Sequence, residues 1–204
     1  MESSRNFETA YRIVDLDGAA RWLSIIFSPP AVAAAGLALA AGRLATPGAW
    51  GWALAAMLMA LCPPMGYVAW LVRRGAVADY DLRVRTQRYR PYLMTAVCGA
   101  ASWLVLTLGG APPLLRGLVG ALAAQAAALM LITLAWKISL HTAAVASLVA
   151  ICLAVFGPAA ALSAALAPAV AWARVQLRRH TPGQTAAGAL VGFLVTAVGL
   201  HLAG

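Results

Sequence analysis

The sequence predicts an all-α membrane protein, a polytopic helical bundle of about six to seven transmembrane helices. Of the 204 residues, 63% are hydrophobic and only 10% are charged, whereas about a quarter of the residues are charged in soluble domains. The apolar residues form long stretches without the alternation that is typical of membrane-barrel strands. Alanine and glycine are abundant in these stretches, and such small residues let helices approach closely in lipid.

The predicted domain organisation is an N-terminal segment, residues 1–21, followed by a single transmembrane domain, residues 22–204. Apolar side chains recur at helical spacing in the first segment, which favours a short interfacial helix, and a partly disordered polar tail is the alternative. Proline pairs at 29–30 and 63–64 are expected to kink or break the first two apolar segments. Seven apolar segments are predicted, at residues 22–42, 50–72, 92–110, 114–136, 138–157, 158–173 and 182–204.

The positive charges lie almost entirely on one side of this predicted topology. Of the 15 lysines and arginines, only Arg43 and Arg116 fall on the other side. The positive-inside rule therefore places the crowded side in the cytoplasm of a multi-pass protein of the cell membrane. The cations sit at the ends of membrane segments and not in a soluble basic domain, which argues against nucleic acid as a partner. Membrane lipids and a phosphorylated lipid are the expected partners, and the sequence leaves the oligomeric state undetermined.

Three polar clusters occupy the crowded side. The first is the basic stretch 83–91, which ends in Arg90-Pro91, and the second is Lys137-Ile-Ser-Leu-His141 at the start of an apolar segment. The third, in residues 173–188, places three arginines and His180 directly before Thr-Pro-Gly, where the last apolar segment begins. Cations neutralise phosphate oxygens, one imidazole can attack phosphorus and a second can protonate the departing oxygen. The clusters together therefore indicate phosphoryl chemistry.

These clusters resemble the type 2 phosphatidic acid phosphatase superfamily, the lipid phosphate phosphatases, whose site is shared by vanadium haloperoxidases. Its pattern is Lys-x6-Arg-Pro, then Pro-Ser-Gly-His, then Ser-Arg-x5-His-x3-Asp. The resemblance covers residues 83–192, more than half of the chain. The matching positions here are Arg83, Arg90, Pro91, Ser139, His141, Arg174 and His180. The chain departs from the pattern at Arg83 for Lys, at Ile138 and Leu140 for Pro and Gly, at Ala173 for Ser, and at Gln184 for Asp.

The resemblance implies the phosphatase-superfamily helical core and a mechanism without metal or cofactor. His180 would be the nucleophile that forms a phosphohistidine, and His141 would be the general acid for the leaving oxygen. Gln184 would orient His180 through its carbonyl, with Asp79 or Asp81 as the less favoured source of a carboxylate. The implied phosphate-binding groups are the side chains of Arg83, Arg90, Lys137, Ser139 and Arg174 and the backbone N–H of Leu140.

The expected function is that of a lipid-phosphate phosphohydrolase acting on phosphatidate-like or polyprenyl mono- or diphosphate lipids. One alternative is a non-hydrolytic lipid-phosphate binding or regulatory protein of the same fold, which the substitution at Gln184 motivates. Another is a small transporter or structural protein whose arginines serve only as membrane anchors. Arg85 and Arg88 are expected to contact headgroups only. Gln125, within an apolar segment, is expected to form an interhelical hydrogen bond.

Overall fold

A computed structural model describes residues 16–77 and 79–203 of the chain. Within those residues the protein is helical with no strand, which confirms the all-α class. The predicted N-terminal segment lies outside the described residues except for 16–21, which form the first turns of α1. The helices are α1 Leu16–Ile26, α2 Pro29–Leu44, α3 Pro47–Ala56, α4 Cys62–Arg73, α5 Tyr89–Leu108, α6 Pro113–Ala135, α7 Leu140–Phe156, α8 Leu166–Gln176 and α9 Pro182–Ala203.

Five helical stretches are long and apolar enough to cross a membrane, and the bent pair of α1 and α2 would make a sixth. The predicted six to seven transmembrane helices thus compare with five to six here, and the segment predicted at 158–173 is a 3₁₀ helix followed by the short helix α8. The five stretches are Pro47–Arg73, Arg85–Leu108, Pro113–Ala135, Leu140–Gln176 and Pro182–Ala203.

The two proline pairs have different effects. At Pro29-Pro30 the helix is broken, and α1 and α2 meet at an angle of 49°. At Pro63-Pro64 the chain continues as helix, through a π-helical stretch, Met57–Leu61, that joins α3 to α4. The N–H of Cys62 there reaches back five residues to the carbonyl of Met57. Prolines lack the N–H that would continue the regular ladder, and the wider turn accommodates this loss without a break.

The stretch Leu140–Gln176 reverses direction within its length. Gly157 has a φ of +65°, a conformation that favours glycine, and a 3₁₀ helix, Gly157–Ala165, leads back into α8. Val145 of α7 and Val170 of α8 belong to the same buried cluster. This antiparallel pairing returns the chain to the end of the bundle at which α7 begins.

Helix α7 is the centre of the bundle, and most of its side chains are buried. It packs against α2 and α8 through one apolar cluster and against α6 and α9 through another. Across the second interface, Ser147 Oγ donates a hydrogen bond to Gln125 Oε1 at 2.6 Å. The predicted interhelical hydrogen bond of Gln125 is thereby confirmed. Because α7 contacts these four helices, the position of its first residues is determined by the whole bundle.

Two glycines of α9 allow its close contact with α7. A Cβ on Gly188 would meet the carbonyl oxygen of Ser139, and one on Gly192 would meet the carbonyl oxygen of Ala143. Gly188 and Gly192 have GxxxG spacing, which here serves close helix packing. The same contact sets the distance between the N-terminal ends of α7 and α9.

We expect Gly192→Ala to destabilise the protein by about 1–3 kcal/mol, the usual cost of forcing extra volume into a packed interior. The added methyl group meets backbone atoms, which cannot rotate away, so the two helices must separate. Thermal unfolding of the detergent-solubilised protein measures the effect. Gly51→Ala is the matched control, since a Cβ there has no atom within 4 Å. Equal melting temperatures for the two variants would contradict the packing role.

Candidate functional site

Polar side chains from four parts of the chain meet at one end of the bundle, which we call the polar end. They come from the loop before α5, from the residues that precede α7, from the last turn of α8 and from the α8–α9 connection. Arg43 and Arg116 lie at the opposite end, where Arg43 Nε donates to the carbonyl of Val155 at the end of α7. The residues that meet at the polar end are Asp79, Asp81, Arg88, Lys137, His141, Arg174, Arg179, His180 and Gln184.

The side chain of His180 is held by Gln184, four residues later in the chain. Its Nδ1 lies 3.1 Å from Gln184 Oε1, and its side chain is largely buried. Gln184 also closes a reciprocal cap at the start of α9, because its Oε1 accepts from the N–H of Thr181 and its own N–H donates to Thr181 Oγ1. The sequence Thr-Pro-Gly-Gln is a capping box, which requires Ser or Thr and then Glu or Gln three residues later. Gln184 therefore both orients His180 and caps the helix.

The spacing between Arg174 and His180 follows from the way in which α8 ends. Arg178 adopts a left-handed conformation with a φ of +52°. The N–H of Arg179 then returns to the carbonyl of Arg174 at 3.0 Å, and the N–H of His180 reaches the same carbonyl at 3.3 Å. This is the Schellman pattern of helix termination, here with arginine in the position that glycine usually occupies. It brings His180 back over the last turn of α8, beside Arg174.

Arg174 is the most deeply buried charged side chain of the site, with 2% of its surface exposed. Its Nη2 lies 3.2 Å from Asp81 Oδ2. Its Nε and Nη1 have no hydrogen-bond partner among residues 16–77 and 79–203. Unmade hydrogen bonds of a buried charged group are expensive. The unpaired N–H groups of this guanidinium are donors that an anion such as carboxylate or phosphate can accept from.

Lys137 lies beside the same group of buried side chains. Its Nζ donates to the carbonyl of Arg179 at 2.7 Å, which places the ammonium next to the α8–α9 connection. Burial and the nearby guanidiniums of Arg88 and Arg174 lower the pKa of Lys137 from its ordinary value. Its positive charge therefore lies close to two others, an arrangement that an incoming anion relieves.

The electrostatics around His180 favour a neutral imidazole. Burial and the positive charges of Arg88, Arg174 and Lys137 lower the pKa of His180 to about 3, against the opposing effect of its hydrogen bond to Gln184. The ring is therefore uncharged at neutral pH and carries a proton on only one of its two nitrogens. With Nδ1–H donating to Gln184 Oε1, the lone pair resides on Nε2. A neutral imidazole with a free Nε2 is the form that acts as a nucleophile.

The beginning of α7 supplies the second imidazole. Ser139 is the N-cap, fully buried, and its Oγ accepts from the N–H of Thr142 at 3.4 Å. The N–H of Ser139 donates to the carbonyl of Gln184, which links the starts of α7 and α9. His141 is buried in the first turn, and its Nε2 lies 3.9 Å from Asp81 Oδ1. The first amides of a helix, including that of Leu140, lack partners within the helix and favour anions.

Arg88 was expected to contact headgroups, and that expectation is wrong. Its side chain is only 4% exposed. Its Nε donates to the carbonyl of Leu82 at 2.7 Å, its Nη1 to that of Ile138 at 3.0 Å and its Nη2 to that of Asp81 at 3.4 Å. Arg88 thus ties the loop before α5 to the residues that precede α7, and it adds a fixed positive charge to the site. Residues 83–90 contain four arginines, and nothing in the sequence indicated that Arg88 would be buried.

The two arginines of the first motif lie farther out. Arg83 is 61% exposed and is paired with Asp79, which also contacts Arg179 Nη1 at 3.4 Å. These three residues form an outer rim around the buried groups. Arg90, in the first turn of α5, is exposed and makes no ion pair or side-chain hydrogen bond within the described part of the chain. The structure therefore brings Arg174, Lys137, Ser139, His141, His180 and Gln184 together, but not Arg83 or Arg90.

Among the residues that the structure describes, no group of three or more His, Cys, Asp or Glu side chains is arranged to hold a metal ion. The three cysteines, at positions 62, 98 and 152, are free thiols in separate helices. The site consists of guanidinium, ammonium, imidazole and hydroxyl groups, which bind anions through charge and hydrogen bonds, together with carboxylates that pair with the guanidiniums.

Comparisons with known proteins returned no relatives: no family model, no curated protein and no solved structure matches this chain significantly.

Proposed function

We propose that the protein is an integral-membrane lipid-phosphate phosphohydrolase whose site is the polar end of the bundle. The buried guanidinium of Arg174, of which two nitrogens have no hydrogen-bond partner among the described residues, is the observation that carries the proposal. A buried cation is costly unless opposite charge and hydrogen bonds compensate it, and a bound anion supplies both. The position of this site at the end of apolar helices favours an anion that is attached to a lipid.

The charged groups inside the outer rim, which we call the inner site, suit a phosphate monoester. Arg88, Lys137 and Arg174 bring three positive charges, and Asp81 brings one negative charge. The net charge of these groups is therefore +2, or +3 when His141 is protonated, and the two negative charges of a phosphomonoester near neutral pH offset most or all of it. The charges of the outer rim, Asp79, Arg83 and Arg179, partly compensate one another, and these side chains are partly exposed to solvent.

The proposed reaction uses the two imidazoles in separate roles. His180 Nε2 attacks phosphorus and the bond to the ester oxygen breaks, so that the phosphoryl group is carried on the ring. His141 in its protonated form gives its proton to the departing lipid oxygen. His141, then neutral, takes a proton from water, whose oxygen attacks phosphorus and releases inorganic phosphate and free His180. Arg174, Lys137 and the N-terminal amides of α7 stabilise the charge that accumulates on the phosphoryl oxygens.

The phosphatase-superfamily core that the motifs resemble remains part of this proposal, as do the cell membrane and the cytoplasmic face. The lysines and arginines of the described chain favour the polar end, which supports a cytoplasmic location by the positive-inside rule. Phosphatidate-like lipids and polyprenyl mono- or diphosphates are the proposed substrate classes.

The direct test is phosphate release by the purified full-length chain in detergent micelles containing phosphatidate, a polyprenyl monophosphate or a polyprenyl diphosphate. We expect release from at least one of these lipids, and we expect that excess EDTA leaves the rate unchanged because the groups invoked are side chains. The released inorganic phosphate is measured colorimetrically. Activity that chelation abolishes, or no release from any of the three lipids, would contradict the proposal.

The second candidate function is non-hydrolytic binding of a lipid phosphate. A specific observation favours it: the partner of His180 Nδ1 is an uncharged amide, Gln184, which cannot offset the positive charge that develops on the ring. Stabilisation of the protein by inorganic phosphate in a thermal-shift measurement, without turnover of any lipid, would support this candidate. No stabilisation by phosphate, vanadate or tungstate would instead support a protein whose arginines are only anchors.

A further inference from the structure

Asp81 occupies the centre of the inner site, although it lies outside the three motifs. Its Oδ2 is 3.2 Å from Arg174 Nη2 and 3.7 Å from Arg179 Nε. Its Oδ1 is 3.9 Å from His141 Nε2. A single carboxylate thus contacts the buried guanidinium and faces the second imidazole.

The loop holds Asp81 in this place. Leu82, the next residue, has a φ of +48°, a left-handed conformation that costs about 1 kcal/mol or more for a residue with a Cβ. Leu82 is buried with Leu71 and Val77, so packing compensates for this strain. Arg88 donates to the backbone carbonyls of both Asp81 and Leu82. Strain that the surroundings maintain at one residue is a common sign of a functional position.

We propose that Asp81 is the positioning carboxylate of the proposed phosphohydrolase: it orients Arg174 and supplies the negative charge that stabilises protonated His141. This inference rests on the proposed function. Asp81 engages only Nη2 of Arg174, and Nε and Nη1 have no hydrogen-bond partner among the described residues. The carboxylate also stands beside Nε2 of His141, where a proton must be present for general-acid catalysis.

This arrangement has a consequence for anion binding. Asp81 is itself an anion bound to Arg174, so it repels an incoming phosphate and competes with it for the same guanidinium. Removing its charge should therefore tighten the binding of oxyanions while it slows the proton transfer to the leaving group. A residue that only supported the fold would, when replaced, impair binding and turnover together.

The experiment compares Asp81→Asn with Asp79→Asn in the full-length chain in detergent. The two residues belong to the same loop and are equally exposed, but the ion pairs of Asp79 within residues 16–77 and 79–203 are with the outer arginines Arg83 and Arg179. Inhibition of phosphatidate hydrolysis by orthovanadate, and thermal stabilisation by orthovanadate, measure oxyanion affinity. Turnover of phosphatidate measures catalysis.

For Asp81→Asn we expect orthovanadate to bind at least about threefold more tightly and kcat to fall at least about tenfold, since one charge at this distance changes both. For Asp79→Asn we expect kcat within about threefold of the wild type. Asp81→Glu, which keeps the charge, should return orthovanadate affinity towards the wild-type value and recover part of kcat.

Weaker orthovanadate binding together with lower kcat in Asp81→Asn would overturn the inference, as would equal effects in Asp81→Asn and Asp79→Asn. Failure of the proposed function gives a different result, namely a wild-type protein that hydrolyses none of the lipids. In that case thermal stabilisation by orthovanadate is the remaining test of the inference. Tighter orthovanadate binding in Asp81→Asn supports competition between Asp81 and oxyanions for Arg174, and unchanged binding refutes it.

Discussion

Replacing His180 by alanine is expected to abolish phosphate release, with a loss in kcat of at least about 10³-fold. The variant lacks the nitrogen that would carry the phosphoryl group, and loss of a nucleophile is among the most damaging changes that an enzyme can undergo. Burial and the neighbouring cations lower the pKa of His180 to about 3, so the wild-type ring is already in its neutral, nucleophilic form at neutral pH. The release of inorganic phosphate from phosphatidate measures the effect.

The matched control for this variant is His201→Ala. His201 is the third histidine of the chain and lies outside the site. It is exposed near the end of α9, far from the polar end. It should retain full activity. His180→Ala should still be stabilised by inorganic phosphate, because Arg174 and Lys137 remain. Undiminished turnover in His180→Ala would refute the phosphohistidine mechanism.

Replacing Arg174 by lysine is expected to lower kcat/KM by about 10²-fold, which is the usual cost of losing one well-placed donor to a transition-state oxyanion. Lysine keeps the positive charge but presents a single ammonium in place of a planar fork. It can satisfy Asp81, or it can reach the phosphoryl group, but it cannot offer separate nitrogens to both. Steady-state kinetics with phosphatidate, together with stabilisation by inorganic phosphate, measure the loss.

Arg178→Lys is the matched control, since Arg178 lies four residues away and is exposed to solvent. It changes the same functional group without touching the buried cluster, so we expect kcat/KM within about twofold of the wild type. Equal losses in the two variants would indicate that general surface charge, and not the fork of Arg174, determines the activity.

Much of the fold follows from local sequence. Long apolar stretches must form helices in lipid, because only a helix satisfies all of its own backbone hydrogen bonds there. The breaks also have local causes: Pro29 begins α2, and Gly157 adopts the conformation at which the α7–α8 hairpin turns. The proline pair Pro63-Pro64 has a different result, a π-helical turn in place of a break, so a proline pair does not by itself predict which of the two forms.

The α8–α9 connection shows how far local sequence reaches into the site. The Thr181–Gln184 capping box is a four-residue pattern, and it fixes both the start of α9 and the partner of His180. The neighbouring turn that returns His180 to Arg174 depends on a left-handed arginine, Arg178, which no propensity predicts.

The sequence by itself determined the helical class, the crowding of cations at one end of the apolar segments, and the residue types that phosphoryl chemistry requires. Only the tertiary structure decided which cations are buried. The motif singled out Arg83 and Arg90, yet of these three arginines Arg88 alone is enclosed, because the packed loop offers it backbone carbonyls. Asp81 meets Arg174 across 93 residues of chain. Long-range contacts of this kind depend on how helices and loops pack, and local patterns do not encode them.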